Sequence, residues 1–196
     1  MIQQMGSSNK TGWAFPGTTR QNDDVMPNDR EKAMMEIHGT RFGTLSFDPD
    51  DIIQVENGLL GFPMSKRYIM FPYSDDSSFF WLQSVDEPEI SFIVVNPFDF
   101  FTDLEFEVSD EDSADIGLEK SEDVEIFSLV TIPEGKPEDM RTNLAGPVVV
   151  NTRTRLGKQV LLSDYSARQP LIPKEYRVQA REDALQETRR QRMVAV

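Results

Sequence analysis

The sequence predicts an all-β fold, an antiparallel sandwich or barrel, with a short connector helix and a C-terminal helical tail. Three observations lead there. Short β-type apolar runs recur between Met35 and Ser163, split by Gly, Pro, Asn and Asp, the rhythm of a sandwich or barrel. Several runs alternate, with Leu104, Phe106 and Val108 facing one way and Glu105 and Glu107 the other. No strand–long helix–strand alternation occurs, which argues against a doubly wound α/β fold.

Three segments follow in order. Residues 1–33 are rich in Gln, Asn, Ser, Thr, Gly, Asp and Pro, with Trp13, Phe15, Val25 and Met26 isolated. So little apolar surface does not offset chain entropy, and a disordered N-terminal extension is expected. Residues 34–172 form the β domain. Its expected strands are 35–47, 52–55, 68–72, 79–84, 90–96, 104–108, 124–132, 148–152 and 159–163. Arg155-Leu156-Gly157-Lys158 is expected to be the turn of a final hairpin. Ser109 precedes Asp110-Glu111-Asp112, an N-cap followed by acids that suit a helix dipole, and Gly117 is placed to end that helix. Residues 173–196 form the tail. Pro173 suits a first helical turn, and Tyr176, Ala180, Ala184 and Leu185 fall on one thin apolar stripe.

Charge narrows the function. The 196-residue chain carries 34 Asp+Glu against 20 Lys+Arg, net -14. Residues 36–173 hold 26 acidic and 10 basic side chains, net -16, whereas residues 174–196 are net +2. Such acidity repels phosphates and anionic membrane surfaces, so direct nucleic-acid or membrane binding is not expected. The chain has no cysteine, which removes disulfides, thiolate metal sites and Cys nucleophiles. No apolar run approaches the ~20 residues of a membrane span. The N-terminus lacks the apolar core of a signal peptide, and a cytoplasmic location is expected.

The search for catalytic chemistry yields little. His38 is the single histidine, and no Gly-x-Ser-x-Gly elbow, dinucleotide fingerprint or P-loop accompanies it. Beside Gly39 it is expected to be a polar strand residue. Asp48-Pro49-Asp50-Asp51 and Asp110-Glu111-Asp112 lack calcium-loop spacing and are expected to be a solvated turn and a helix N-terminus. No catalytic residue, cofactor or metal is expected. A carboxylate-dependent barrel hydrolase and an acidic structural interaction domain stand as alternatives.

Four segments have unusual chemistry for plain strands: Gly58-Leu59-Leu60-Gly61-Phe62, Trp81-Leu82-Gln83-Ser84, Phe92 to Pro97, and Asn143 to Asn151 leading to Gly157-Lys158-Gln159. Their order resembles the FliW family of flagellar assembly factors, as does the opening Thr40-Arg41-Phe42-Gly43. Leu60 stands where the family's corner has proline. The likeness covers most of Met35–Tyr165 and leaves both chain ends outside. It implies a small, strongly curved antiparallel β-barrel-like domain without enzymatic activity that binds flagellin and also binds the translational regulator CsrA, stopping that regulator from repressing flagellin mRNA.

The residues agree with such a role. A net -16 domain steers towards a basic RNA-binding regulator. Residues 99–125 hold twelve acids and one lysine. Candidate contacts there are Asp99, Asp103, Glu105, Glu107, Asp110, Glu111 and Asp112. Candidate apolar contacts for flagellin, whose chain ends are amphipathic helices by the family resemblance, are Phe62, Phe71, Phe98 and Phe101, with Asn57 beside the corner. The basic run Arg189-Arg190-Gln191-Arg192 is a candidate to fold back on the acidic domain, against the plainer reading of a frayed end.

Overall fold

The computed structural model describes residues 33–181 and 186. The expected disordered extension lies, apart from Ala33, outside the described residues, as do Arg189–Arg192. Among the described residues eleven strands are formed: β1 Met35–Thr40, β2 Gly43–Phe47, β3 Ile53–Val55, β4 Arg67–Pro72, β5 Phe79–Ser84, β6 Ser91–Val95, β7 Val124–Thr131, β8 Arg141–Thr142, β9 Val148–Asn151, β10 Leu156–Gln159 and β11 Gln169–Pro170. One short helix, α1, spans Asp110–Asp115, and the tail is helical (α2) over 174–181.

Seven strands close a barrel in the order β7-β6-β5-β4-β3-β10-β9 and back to β7. Every pairing around it is antiparallel except β3 with β10, which is parallel. β7 makes closure possible. Val124–Phe127 pair with β9, while Val130 and Thr131 pair with β8, and β11 extends β8 outward.

Period-two alternation places the core. Phe80 and Leu82 of β5, Tyr68 and Met70 of β4, Phe127 of β7, and Val148 and Val150 of β9 fill one buried cluster inside the barrel. The alternate residues point outward, and two covers bury them. The β1–β2 hairpin lays Ile37, Phe42 and Phe47 over Ile69, Phe71 and Trp81. Residues 98–118 and 156–165 lay Phe106, Ile116 and Tyr165 over Val124, Ile126 and Val149. Each large apolar side chain buried this way is worth roughly 1.5–3 kcal/mol.

The structure corrects several expectations. Residues 35–47 are two strands, because Thr40 turns the chain. Its hydroxyl accepts from the Phe42 N–H at 3.1 Å and donates to the Gly43 carbonyl at 2.7 Å. Residues 104–108 keep the expected alternation, with Phe106 buried, but they form no strand. Arg155–Lys158 is no turn, since Leu156 opens β10. The turn lies earlier. Asn151 Oδ1 accepts from the N–H groups of Arg153 and Thr154 at 3.0 and 3.2 Å, and Arg155 takes the left-handed conformation at φ 59°. Gly157 serves close approach instead: a Cβ there would lie 3.2 Å from Ile53 Cγ2 and 3.3 Å from Val55 Cγ2. The tail helix begins after Pro173 as expected, but its stripe is not buried, because Tyr176 and Ala180 are exposed. Ala184 and Leu185 lie outside the described residues. The α1 expectation holds: Ser109 Oγ accepts from the Asp112 N–H at 3.1 Å, and Gly117 follows at φ 62°.

Candidate partner-binding surfaces

The Gly58–Phe62 corner is a closed loop built around one glycine. Gly58 has φ +67°, and a Cβ there would stand 2.4 Å from the Phe62 carbonyl oxygen and 2.9 Å from Pro63 Cα. Only glycine lets the two limbs approach so closely. Leu59 turns inward to plug the barrel core, and Phe62 N–H donates to the Leu59 carbonyl at 2.8 Å. Phe62 is half-buried, edge-on to Phe92 with centroids 4.9 Å apart. Asn57 is exposed beside it. The corner's exposed apolar groups are ones sequence reasoning passed over: Leu60 is 63% and Met64 73% exposed.

Gln159 ties together two of the singled-out segments. Its Oε1 accepts from the Leu60 N–H at 2.8 Å, and its Nε2 donates to the Gly146 carbonyl at 2.9 Å. The corner, the 143–147 loop and β10 are thereby latched at one barrel end.

The Trp81–Ser84 segment is structural on both faces. Trp81 packs against Phe42 at 5.0 Å and stacks with Tyr73 at 5.5 Å, while the Arg41 guanidinium lies 4.6 Å over its ring. Gln83 is fully buried, with Nε2 directed at the carbonyls of Ser84, Pro88 and Ile90 at 2.8, 2.9 and 3.0 Å. Ser84 and Ser65 hydroxyls meet at 3.1 Å, and Ser65 donates to Glu87. Beside them, burial pushes the Tyr68 phenol up to about 12. At the same barrel end, partial burial of Asp86 opposes its charge, but donors from the backbone of Lys66 and Arg67 and from the Arg67 guanidinium (2.7 Å) prevail and hold it below the usual range.

The phenylalanine candidates separate. Phe71 is 5% exposed beneath the β1–β2 hairpin, so it is core and offers no surface. Phe98 and Phe101 are half-buried in the 98–118 cover, Phe98 edge-on to Phe106 at 5.6 Å. Asn96 Oδ1 accepts from the Phe98 N–H at 3.0 Å and starts the short turn Pro97–Asp99.

The acidic candidates share that cover. Asp99, Asp103, Glu105, Glu107, Asp110 and Glu111 are exposed along it and at the start of α1. Desolvation pushes the Asp99 carboxyl upward. Asp112 is different. Lys158 Nζ reaches Asp112 Oδ1 and Asp115 Oδ2, each at 2.6 Å, and the Ser109 hydroxyl donates to Asp112 at 2.6 Å. These bonds, led by Lys158, hold Asp112 below the usual carboxylate range and raise Lys158. Asp112 therefore pins α1 to β10. Among the described residues no group of three His, Cys, Asp or Glu is placed to hold a metal ion, and no helix is long and apolar enough to cross a membrane.

The family model for FliW protein matches residues 36–171, the barrel with both covers. The chain belongs to the FliW family. Its members among curated proteins are flagellar assembly factors. That of Magnetococcus marinus is 71% identical over 150 residues, covering 76% of this chain and 93% of the relative. That of Natranaerobius thermophilus is 40% identical over 140 residues, covering 70% and 93%. The crystal structure of a flagellar assembly factor FliW superposes with a TM-score of 0.66 at 28% identity, covering 71% of this chain and 99% of that one. The family match bears out the resemblance read from the sequence, and the superposition bears out the barrel.

Proposed function

We propose that this FliW-family chain is a cytoplasmic, non-enzymatic binding protein with two macromolecular partners. It binds newly made flagellin, and it binds a CsrA-type translational regulator and relieves that regulator's repression of flagellin mRNA. The observation that carries this reading is the exposed row of acids on the 98–118 cover. Asp103, Glu105, Glu107, Asp110 and Glu111 are solvent-facing on a wall fixed by the Asp112–Lys158 bridge. A cationic RNA-binding protein held beside that wall repels RNA phosphates through the added negative field. Exposed charges act over a Debye length of about 8 Å, so the acids must act together. Flagellin needs an apolar contact. Leu60 and Met64, presented on the latched corner, supply one, with Phe62 half-buried between them in sequence.

Capture of purified flagellin and of the regulator by the immobilised chain, at low and high ionic strength, tests both halves. Both partners are expected at low salt, with the regulator lost preferentially at high salt. Capture of neither at low salt overturns the proposal.

A further inference from the structure

The loop between β7 and β8 meets the tail helix α2 through an arginine. Leu171 is buried and its N–H donates to the Met140 carbonyl at 3.1 Å, directly after the β11–β8 pairing of Pro170 with Arg141. This ladder delivers Pro173, and α2 behind it, to the end of the loop. The loop contains Glu134, Glu138 and Asp139 against Lys136. Arg181, two turns along α2, reaches back and bonds Asp139 Oδ1 across 42 residues of sequence, at a carboxylate only 15% exposed. Arg177, one turn earlier, is half-buried, and its Nε is shut away from solvent without an acceptor. Arg177 and Arg181 lie one turn apart on α2, Arg181 with its side chain half exposed, while Tyr176 and Val178 are exposed. The Arg181–Asp139 contact is electrostatic in kind.

We infer that α2 is an intramolecular occupant of a surface suited to cationic helices, and that its docking competes with basic ligands for the acidic domain. A net +2 tail on a net -16 domain has the charge for this role. The inference concerns a contact within the chain and does not depend on the identity of the natural partners.

The test uses full-length protein and an oligo-arginine peptide as probe. Arg181→Gln frees Asp139 while leaving it charged. The control, Arg168→Gln, makes the same charge change at an exposed site outside the contact. At low ionic strength, Arg181→Gln is expected to bind the peptide about two- to fivefold more tightly than Arg168→Gln, the range of a partly exposed ion pair. Equal affinities overturn the competition. A second readout follows docking itself: Asp139→Asn is expected to speed tryptic cleavage after Arg177 and Arg181 severalfold in the otherwise native chain. An unchanged rate overturns the docked helix.

Discussion

Replacing Gly58 with alanine tests whether the corner is held by close backbone approach. Two costs arise. Alanine at φ +67° must occupy the left-handed region, at roughly 1–2 kcal/mol. Its Cβ would also meet the Phe62 carbonyl oxygen at 2.4 Å and Pro63 Cα at 2.9 Å. Those are backbone atoms that no rotamer change moves, so the loop must open, at a further ~1–3 kcal/mol. Gly61 provides the comparison. It has φ +88°, yet a Cβ there meets nothing within 4 Å, so Gly61→Ala carries only the conformational cost. Urea unfolding followed by circular dichroism should place Gly58→Ala about 2–5 kcal/mol below wild type and Gly61→Ala about 1–2 kcal/mol below. Equal losses for the two variants would refute the close-approach argument.

Two further predictions concern buried and paired polar groups. Gln83→Leu removes the donor from three carbonyls at the end of β5 and should cost about 1–3 kcal/mol in chemical unfolding, a larger loss than burying a leucine recovers. Asp112→Asn should lower stability by about 1 kcal/mol near neutral pH, because the Asp112 carboxyl is held below its ordinary range by Lys158 and Ser109. That contribution is present above the unfolded value near ~3.9 and is lost as pH falls through the folded value, so wild type and variant should converge in acid unfolding below about pH 4 and stay apart above pH 5.

The alternation of apolar and polar residues made most barrel walls legible. Phe79–Ser84 forms a strand with the bounds read from the sequence, because its turn-forming flanks are unambiguous. Glycine was the main source of error. In Arg155-Leu156-Gly157-Lys158 it looked like turn chemistry, whereas Gly157 is buried where β3 and β9 press on β10, and the turn is made by Asn151 and a left-handed Arg155. The residue type says that a side chain is absent without saying why. Closure was also invisible. The parallel β3–β10 pair and the divided β7 edge join residues about 100 and 20 positions apart, a separation that no local pattern encodes.

The surfaces were legible in kind more than in detail. Alternation and charge located the acidic cover, but not that Asp112 is withdrawn into a bridge with Lys158, 46 residues away. The phenylalanines were plausible anchors by type, and Phe71 proved to be core because the β1–β2 hairpin covers it. Neither Leu60 nor Met64 reads as a contact residue in the sequence, since single aliphatic residues beside glycine and proline look like ordinary loop residues. Only the folded corner reveals that they face outward.

The central claim is that this barrel works by occupying a regulator and yields it up to flagellin's control. The direct measurement is fluorescence anisotropy of a labelled flagellin leader RNA bound to the CsrA-type regulator, first titrated with this chain and then with flagellin. The account predicts that the chain lowers the anisotropy by releasing RNA and that flagellin restores it. RNA that stays bound at saturating chain contradicts it.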